Sequence, residues 1–335
     1  MLTVTLYTKP DCHLCEQAKA DLQALQEKFP HRLVEIDIRS DPVLLKAYLL
    51  EIPVVQIGPY TLKAPIDRQK LAVTLGAASD RRGQLDQVGG EAHKERVARG
   101  EQITFADRAL YWISRHYLAL LNLTMLFYFG LPILAPVFMH AGLTGPANVI
   151  YTIYKPLCHQ FGFRSFFLFG EQPYYPLEEA GIPGVITFEA ATGLQDLRNP
   201  NAYSRFEARQ FTGNEIMGYK IALCERDLAI YAAIFLFGVL YAVTGRRLKP
   251  LHWMLWILIG MVPVGLDGFS QLFSQMEWTW LMQILPYRES TPLLRVLTGG
   301  LFGFATAWFA YPAIEESMAE TRQFFVKKFA SASRN

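Results

Sequence analysis

The first residues that could do chemistry are two cysteines, Cys12 and Cys15, separated by two residues. Thr3–Thr8 before them is β-branched and aromatic, which predicts a strand, and Cys15–Lys28 has apolar residues at helical spacing. A sulfur at the start of a helix meets unpaired N–H groups and the positive end of the helix dipole, which favour the thiolate. A second sulfur one turn later can resolve a mixed disulfide. The spacing therefore predicts thiol–disulfide chemistry.

Half of a zinc site and a pair of inert surface thiols are the alternatives for these two cysteines. A four-cysteine zinc site needs a second close pair of cysteines. The other two cysteines of the chain, Cys158 and Cys224, are far away in the sequence and from each other. This spacing favours the redox interpretation.

A second group of reactive side chains flanks long apolar runs in the C-terminal half. Cys224 and Asp227 are three residues apart and would share one face of a helix, as would Asp267 and Gln271, which are four apart. We expect these residues and Arg295 to converge near one face of a membrane. Neighbouring loops and turns would add further candidates: Cys158, His159, Arg164, Arg226, Arg288 and Glu289.

The cysteines of this second group suit either a metal or a disulfide. Soft sulfur and imidazole are ligands that zinc prefers, and the candidate ligands are Cys158, His159, Cys224 and Asp227. Adjacent residues on a regular helix point about 100° apart. Cys158 and His159 could therefore share an ion only if the backbone turns there, which Pro156 would favour. A disulfide between Cys158 and Cys224 is the alternative.

The charged members of the group also have two interpretations. Ionisable side chains at membrane depth cost several kcal/mol unless they are paired or coordinated, so their presence indicates a function. Arg164, Arg288 and Arg295 could clamp an anion. The structural alternatives are an ion pair between Arg295 and Glu289, and Asp227 at the N-terminus of a helix.

The elements that carry the first pair of cysteines alternate between strand and helix. Leu33–Ile38 alternates as a half-buried strand, and Asp41-Pro42 opens a second helix. Ile52–Ile57 and Tyr60–Leu62 predict a hairpin. This pattern predicts a small α/β domain over residues 1–78. The charged segment 79–116 then predicts a solvated linker or surface helix and an amphipathic lead-in helix.

The elements that carry the second group are apolar segments, which predict an α-helical membrane domain over residues 117–314 with about four spans. A fifth stretch, Val149–Phe169, is interrupted by charged residues and predicts an interfacial or re-entrant helix, with a full span as the alternative. Residues of about 171–219 form an insertion, and residues 315–335 form a tail. The predicted spans are Tyr117–Met139, Leu228–Thr244, Pro250–Met276 and Val296–Ile314.

The charge distribution excludes some classes of protein and predicts how the chain is oriented in the membrane. A net charge of +2 gives no large basic field, so nucleic acid is not an expected partner. Dense charge before Arg115 and long uncharged runs after it exclude both a single soluble globule and a purely membrane-embedded protein. Basic residues between the second and third spans, and in the tail, predict that both lie in the cytoplasm.

The start of the chain agrees with this orientation because it does not resemble a secretory signal. With an even number of spans, the N-terminal domain is expected on the cytoplasmic side of a prokaryotic plasma membrane. The insertion at about 171–219 would then face outward. The lipid bilayer is accordingly an expected partner, and the oligomeric state is left open.

The segment TLYTKPDCHLCEQAKADL, followed later by EIPVVQI, resembles a glutaredoxin-like domain of the thioredoxin fold. This resemblance implies that Cys12 is the attacking thiol, Cys15 the resolving thiol, Pro53 a cis-proline beside them and Lys9 a neighbour of the thiolate. It also implies a cytoplasmic thiol donor or acceptor. Glutathione is one candidate, although Lys63–Asp67 replaces the glycines and aspartate that glutaredoxins have after the hairpin.

Four motifs stand out in residues 117–313: PLCHQ…RSFFLFG, CERDLAIY, LDGFSQLFS and RES…LLR…TGGLFG. With them, this part of the chain resembles DUF2085, an uncharacterised family of bacterial and archaeal membrane proteins. The family has no established activity, so the resemblance implies an architecture and a set of candidate residues.

Three functions are consistent with the sequence. The first is a redox-linked membrane protein, in which the cytoplasmic Cys12–Cys15 domain is coupled to the Cys/His/Asp/Arg site of the membrane domain. The second is a metal-dependent membrane enzyme, with zinc or another divalent ion, that acts on a lipid-linked or phosphate-bearing substrate. The third is a redox-gated transporter or scaffold, in which Gly299, Gly300 and Gly303 permit close helix packing.

Overall fold

A computed structural model of the chain describes residues 2–199, 202–276 and 284–332. The chain divides into two compact units. One, the thiol unit, runs to Tyr117 and also includes the chain from Glu316 onward. The other, the membrane unit, is Leu118–Glu315.

The thiol unit is built on a four-stranded mixed sheet, with strand order β2-β1-β3-β4. β1 pairs in parallel with β2 and antiparallel with β3, and β3 pairs antiparallel with β4. Most residues of the two central strands, β1 and β3, are buried. The strands are β1 (Leu2–Thr8), β2 (His31–Asp37), β3 (Val54–Ile57) and β4 (Tyr60–Lys63).

Three helices cover this sheet: α1 (His13–Ala24), α2 (Pro42–Tyr48) and α3 (Arg68–Glu101). On one face, Ala18 and Leu22 of α1 pack with Val4 and Leu6 of β1. On the other face, α2 contributes to a cluster around Tyr7. The predicted order of strands and helices, with a thioredoxin-like arrangement, is confirmed.

The charged segment that predicts a linker or a surface helix is helical and continues α3. Leu71, Leu75 and Ala78 in the first turns are buried in the core of the thiol unit. From Arg81 to Glu91 the residues of this helix are exposed or half-buried. Gly90 interrupts the regular helix with φ 58° and ψ −158°.

The remaining helices are mostly apolar. Among the described residues, four helices are long and apolar enough to cross a membrane: α4, α8, the continuous segment Trp253–Ser274, and α11. A π-helical turn, Trp256–Met261, joins α9 to α10 within the third of these. The helices are α4 (Phe105–His140), α5 (Thr144–Tyr154), α6 (Phe188–Thr192), α7 (Tyr203–Gln210), α8 (Glu225–Val243), α9 (Trp253–Leu255), α10 (Val262–Ser274) and α11 (Pro292–Ala332).

The four-span prediction is confirmed, and the interrupted fifth stretch forms only a short helix. α5 has 11 residues, which at 1.5 Å per residue is about 16 Å, roughly half the thickness of the hydrocarbon core. Lys155, Pro156 and the residues after them leave the helix and enter a turn that leads to a short strand. By length alone, α5 does not cross a bilayer.

The insertion predicted at about 171–219 contributes to a small folded layer within the membrane unit. Its three short strands are β5 (Phe167–Leu168), β6 (Gly213–Asn214) and β7 (Gly218–Lys220), in the order β5-β7-β6. Aromatic side chains from distant positions, including Phe163, Tyr175 and Phe188, form its core. No regular spacing in the sequence indicates this core, because its members come from loops, short strands and short helices.

The tail predicted for residues 315–335 belongs to the thiol unit as far as it is described. It is the end of α11, where Val326 and Ala330 pack against the cluster that contains Tyr7. Arg322 Nε donates to Asp41 Oδ2 at 3.2 Å, and its Nη1 donates to the Ser114 carbonyl at 2.8 Å. These buried contacts make the end of α11 part of the core of the unit.

Proline within α4 fixes the chain just before α8. Pro136 has no N–H, so the carbonyl of Pro132, four residues earlier, has no partner within the helix. The N–H of Ala222 donates to this carbonyl at 3.3 Å. The carbonyl left unpaired by Pro136 therefore holds the segment before Cys224 against α4 through this hydrogen bond.

Two glycines allow α8 and α11 to approach closely. A Cβ atom at Gly303 would lie 2.2 Å from the Ile230 carbonyl oxygen, and one at Gly299 would lie 2.7 Å from that of Arg226. Gly300, on another face of α11, would place its Cβ in open space. Gly303 and Gly299 therefore form the contact between the two helices, whereas Gly300 does not.

We expect Gly303→Ala to destabilise the membrane unit by about 1–3 kcal/mol, because the new methyl group must push backbone away from backbone. Thermal unfolding of the detergent-solubilised protein measures this change. Gly300→Ala is the matched control and should leave the unfolding temperature unchanged. Equal effects of the two substitutions would contradict the close approach of α8 and α11 at Gly303.

Candidate functional site

Cys12 and Cys15 lie at the start of α1 and form a disulfide. Cys12 is the N-cap residue, and its carbonyl accepts from the N–H groups of Cys15 at 2.9 Å and Glu16 at 3.1 Å. Cys12 is partly exposed, whereas Cys15 is buried. One sulfur is thus open to solvent at a helix N-terminus, and the other lies behind it.

The two other residues that the glutaredoxin resemblance implies also lie in the thiol unit. The Ile52–Pro53 peptide bond is cis and leads directly into β3. Lys9 is partly exposed and follows β1. A second cis bond, Ala64–Pro65, lies in the segment that departs from the glutaredoxin pattern.

Cys158, Cys224 and Asp227 come together in the membrane unit, where one ligand atom from each lies within 4.8 Å of the others. Cys158 follows α5 and is buried, Cys224 is the N-cap residue of α8, and Asp227 is in the first turn of α8. The two cysteines are free thiols. The N–H of Cys224 donates to Cys158 Sγ at 3.3 Å.

The two thiols interact, and their pKa values move in opposite directions. A hydrogen bond between them lowers the pKa of Cys158, while burial opposes this. The same hydrogen bond, with burial, raises the pKa of Cys224 well above its usual value. Cys158 is therefore the sulfur that loses its proton first.

His159, predicted as a ligand beside Cys158, is not brought into this group. Its ring is exposed and stacks on Phe161, with centroids 5.8 Å apart. The backbone does turn after Cys158, since Gln160 has φ 54°. This turn directs Gln160 inward, where its side chain donates to the Tyr151 carbonyl at 3.0 Å, and leaves His159 in solvent.

A buried lysine that the sequence does not single out lies near the same sulfur. Lys220 is fully buried at the end of β7, and its Nζ donates to the carbonyls of Gln160 at 2.6 Å and Arg209 at 2.7 Å. Burial lowers the pKa of Lys220 to about 7. The negative charge of Cys158 opposes this shift, and the positive charges of Lys155 and Arg209 add to it.

A buried ionic network joins the ends of three spans, and one of its centres is Glu289. The carboxylate of Glu289 accepts from Arg164 Nε at 2.7 Å and Nη2 at 2.9 Å, and from Gln271 Nε2 at 2.9 Å. Arg295 also pairs with Glu289, and its Nη1 donates to Glu225 Oε2 at 3.0 Å. Glu225, Glu289 and Arg295 are almost completely buried.

Asp267 is the second centre of this network. Its Oδ1 accepts from Arg288 Nη2 at 2.9 Å, and its Oδ2 accepts from the Ser290 hydroxyl at 2.8 Å. Arg226 pairs with the same carboxylate. Of the residues predicted to converge, Asp267 thus pairs with arginines of the chain, whereas Gln271 and Arg295 both bind Glu289.

The ion pairs of this network involve the three arginines that were predicted to clamp an anion. Arg164, Arg288 and Arg295 each already bind a carboxylate of the chain. An external anion would have to compete with these buried partners, which are close and hydrogen-bonded. The arrangement favours a structural role for the three arginines over the capture of a phosphate-bearing substrate.

Glu225 and Lys220 are site residues that the sequence analysis misses. A glutamate in the first turn of a helix is usually exposed and favoured by the dipole, so the pattern of Glu225 gives no indication of burial. Lys220 lies in a three-residue strand inside an insertion without periodicity. In the sequence around Glu225, the neighbouring candidates Cys224 and Arg226 are the one feature that could have identified it as a site residue.

We expect the free energy of unfolding of the wild-type protein to rise between pH 7 and about pH 10. Over this range the unfolded state still holds the Lys220 proton that the folded state has lost, so unfolding becomes less favourable as the pH increases. Lys220→Met removes this titration and should flatten the rise. Denaturant unfolding of both proteins at several pH values measures the difference, and parallel pH profiles would contradict the burial of Lys220.

We expect Glu289→Gln to destabilise the membrane unit by roughly 3–5 kcal/mol, because Arg164 and Arg295 would lose a shared buried counter-charge. Thermal unfolding in detergent measures this loss. Glu178→Gln, at an exposed glutamate of the same unit, is the control and should change stability by less than about 0.5 kcal/mol. A loss of similar size in both variants would contradict the network.

Comparisons with known proteins give two matches to family models. Residues 3–76 match a glutaredoxin-like domain (DUF836). Residues 208–309 match a predicted membrane protein family, DUF2085, which is a shorter range than the resemblance suggests.

Two individual proteins are also similar to parts of the chain. An uncharacterized protein of Methanocaldococcus jannaschii is 23% identical over 213 residues, which covers 61% of this chain and 96% of that protein. The solved structure of a structural genomics target protein from X. campestris is 36% identical and covers 22% of this chain and 96% of that one, with a TM-score of 0.19. The chain therefore joins a glutaredoxin-like domain to a DUF2085 predicted membrane domain.

Proposed function

We propose that the chain is a membrane-bound thiol–disulfide oxidoreductase whose reactive pair is Cys12 and Cys15. The observation that carries this proposal is the position of the pair: Cys12 caps α1 and is partly exposed, and Cys15 is buried behind it. The helix N-terminus stabilises a thiolate at Cys12. The disulfide between the two residues is the oxidised form of such a pair.

The reaction is a two-step exchange. The Cys12 thiolate attacks one sulfur of a substrate disulfide, which breaks the substrate S–S bond and releases its other sulfur as a thiolate. The Cys15 thiolate then attacks Cys12, which forms the Cys12–Cys15 disulfide and releases the second substrate thiolate. Two electrons pass to the substrate, and a cytoplasmic thiol donor restores the dithiol by the reverse exchange.

Lys9 and Pro53 would assist Cys12 without taking part in bond formation. The ammonium group of Lys9, in the segment between β1 and α1, would favour the anionic form of a nearby sulfur. Pro53 would shape the surface beside the pair against which a substrate chain lies. Glutathione is a candidate donor, and another cytoplasmic thiol is the alternative because Lys63–Asp67 departs from the glutaredoxin pattern.

The orientation of the thiol unit in the cytoplasm is part of the proposal. It is supported by Arg246, Arg247 and Lys249, which follow α8, and by Lys327 and Lys328 near the end of α11. An even number of candidate spans would place both termini on one side.

Linkage to a membrane domain would restrict the encounter of the thiol pair with its substrates. A tether raises the effective concentration of the pair toward any partner held at the same membrane surface, without a new contact. This supports a membrane-associated disulfide as the substrate.

We expect Cys15→Ser to trap a mixed disulfide at Cys12, because the resolving thiol is absent. The reduced variant is treated in inverted membrane vesicles with a membrane-impermeant aryl disulfide, and the released aryl thiolate and the mass of the adduct are measured. Cys12→Ser is the matched control and should react at least about tenfold more slowly, since Cys15 is buried.

A comparison of inverted with right-side-out vesicles tests the orientation of the thiol unit separately from its thiol chemistry. Reaction of Cys15→Ser in inverted but not in right-side-out vesicles is expected. Reaction only in right-side-out vesicles would reverse the orientation and leave the thiol chemistry intact. Equally slow reaction of both variants in detergent would refute the oxidoreductase function.

A further inference from the structure

The group formed by Cys158, Cys224 and Asp227 is separate from the thiol pair and has the composition of a metal site. Its three ligand atoms, two sulfurs and one carboxylate oxygen, lie within 4.8 Å of one another. Ligand atoms around a tetrahedral zinc ion, bound at about 2.3 Å for sulfur and about 2.0 Å for oxygen, are roughly 3.5 Å apart. A small inward movement of the side chains would therefore bring all three ligand atoms to bonding distance from one zinc ion.

The backbone holds these three residues in place without a metal. Cys224 and Asp227 are one turn apart at the start of α8 and share a helix face. Cys158 is fixed by the bond from its N–H to the Tyr154 carbonyl at 3.0 Å and by its position in an apolar cluster. The bond from the Cys224 N–H to Cys158 Sγ joins the two segments. Such prior positioning reduces the entropic cost of binding an ion.

The carboxylate of Asp227 is the second indication of a ligand. Within the described part of the chain, it makes neither an ion pair nor a hydrogen bond. The neighbouring acidic residues behave differently, because Glu225 pairs with Arg295 and Asp267 pairs with Arg226 and Arg288. Asp227 is thus a half-buried carboxylate in the first turn of α8 whose nearby partners are two thiols. A carboxylate oxygen beside two sulfurs is a ligand that zinc accepts.

From this geometry we propose that Cys158, Cys224 and Asp227 bind one divalent metal ion of the zinc class. Two thiolates select a soft or borderline ion, and the carboxylate is compatible with zinc. Binding releases the two thiol protons to solvent and leaves a net charge of −1 on the metal and its three ligands.

A three-ligand set has a chemical consequence. Structural zinc sites are usually closed by four protein ligands, whereas catalytic sites have three and keep one position for water or a substrate atom. His159 is exposed and outside the group, so it does not supply the fourth ligand in this conformation. As far as the described residues show, the site is therefore of the open type, able to bind water or an oxygen or sulfur atom of a substrate.

The test uses the full-length protein in detergent with Cys12→Ser and Cys15→Ser, which removes the competing thiols. Under reducing conditions we expect one equivalent of cobalt(II) to give the intense near-ultraviolet absorption of thiolate-to-cobalt charge transfer, and zinc to abolish it. Cys158→Ser and Cys224→Ser should lose this absorption. Asp227→Asn should weaken cobalt binding at least about tenfold.

His159→Ala is the matched control and should bind cobalt like the parent protein. Thermal unfolding without metal shows whether each variant is folded, so that loss of binding is assigned only to folded variants. Absence of charge-transfer absorption in the folded, reduced parent would overturn the proposal, as would a Cys158–Cys224 disulfide in the freshly purified protein. Because Cys12 and Cys15 are absent here, neither result bears on the oxidoreductase function.

Discussion

Arg295 lies between two buried carboxylates, Glu225 and Glu289, and this bridge determines the arrangement at the ends of the spans. A buried charge is tolerated only when its partners are close and hydrogen-bonded to it. Removal of one partner leaves the other charge buried without a counter-charge, which is strongly destabilising. The bridge therefore fixes the first turns of α8 and α11 to each other. Cys224 and Asp227, which share that turn of α8, are fixed with them.

Both cysteine groups contain a cysteine that is the N-cap residue of a helix: Cys12 at α1 and Cys224 at α8. The partner sulfur differs. Cys15 is one turn away on the same helix, whereas Cys158 comes from a distant turn and is buried. A local pair with one partly exposed sulfur suits exchange with another protein, whereas a buried sulfur that meets a second thiol and a carboxylate suits an ion.

Local rules predict most of the fold. The strand and helix order of the thiol unit follows from alternating and helical apolar patterns, because β1 and α1 bury residues at those periods. The spans follow from the need of an apolar helix to bury its whole surface in lipid. The folded insertion and the attachment of the end of α11 to the thiol unit do not follow, because they depend on contacts such as that of Arg322 with Asp41.

The candidate sites divide in the same way. The sequence alone determines the pairing of Cys12 with Cys15, since their spacing at a strand–helix junction sets both their separation and their place at the helix N-terminus. Only the tertiary structure decides that Cys158 meets Cys224 and Asp227, that His159 does not, and that the arginines are already paired. Those contacts join segments far apart in the chain, and their geometry depends on how helices pack rather than on any local spacing.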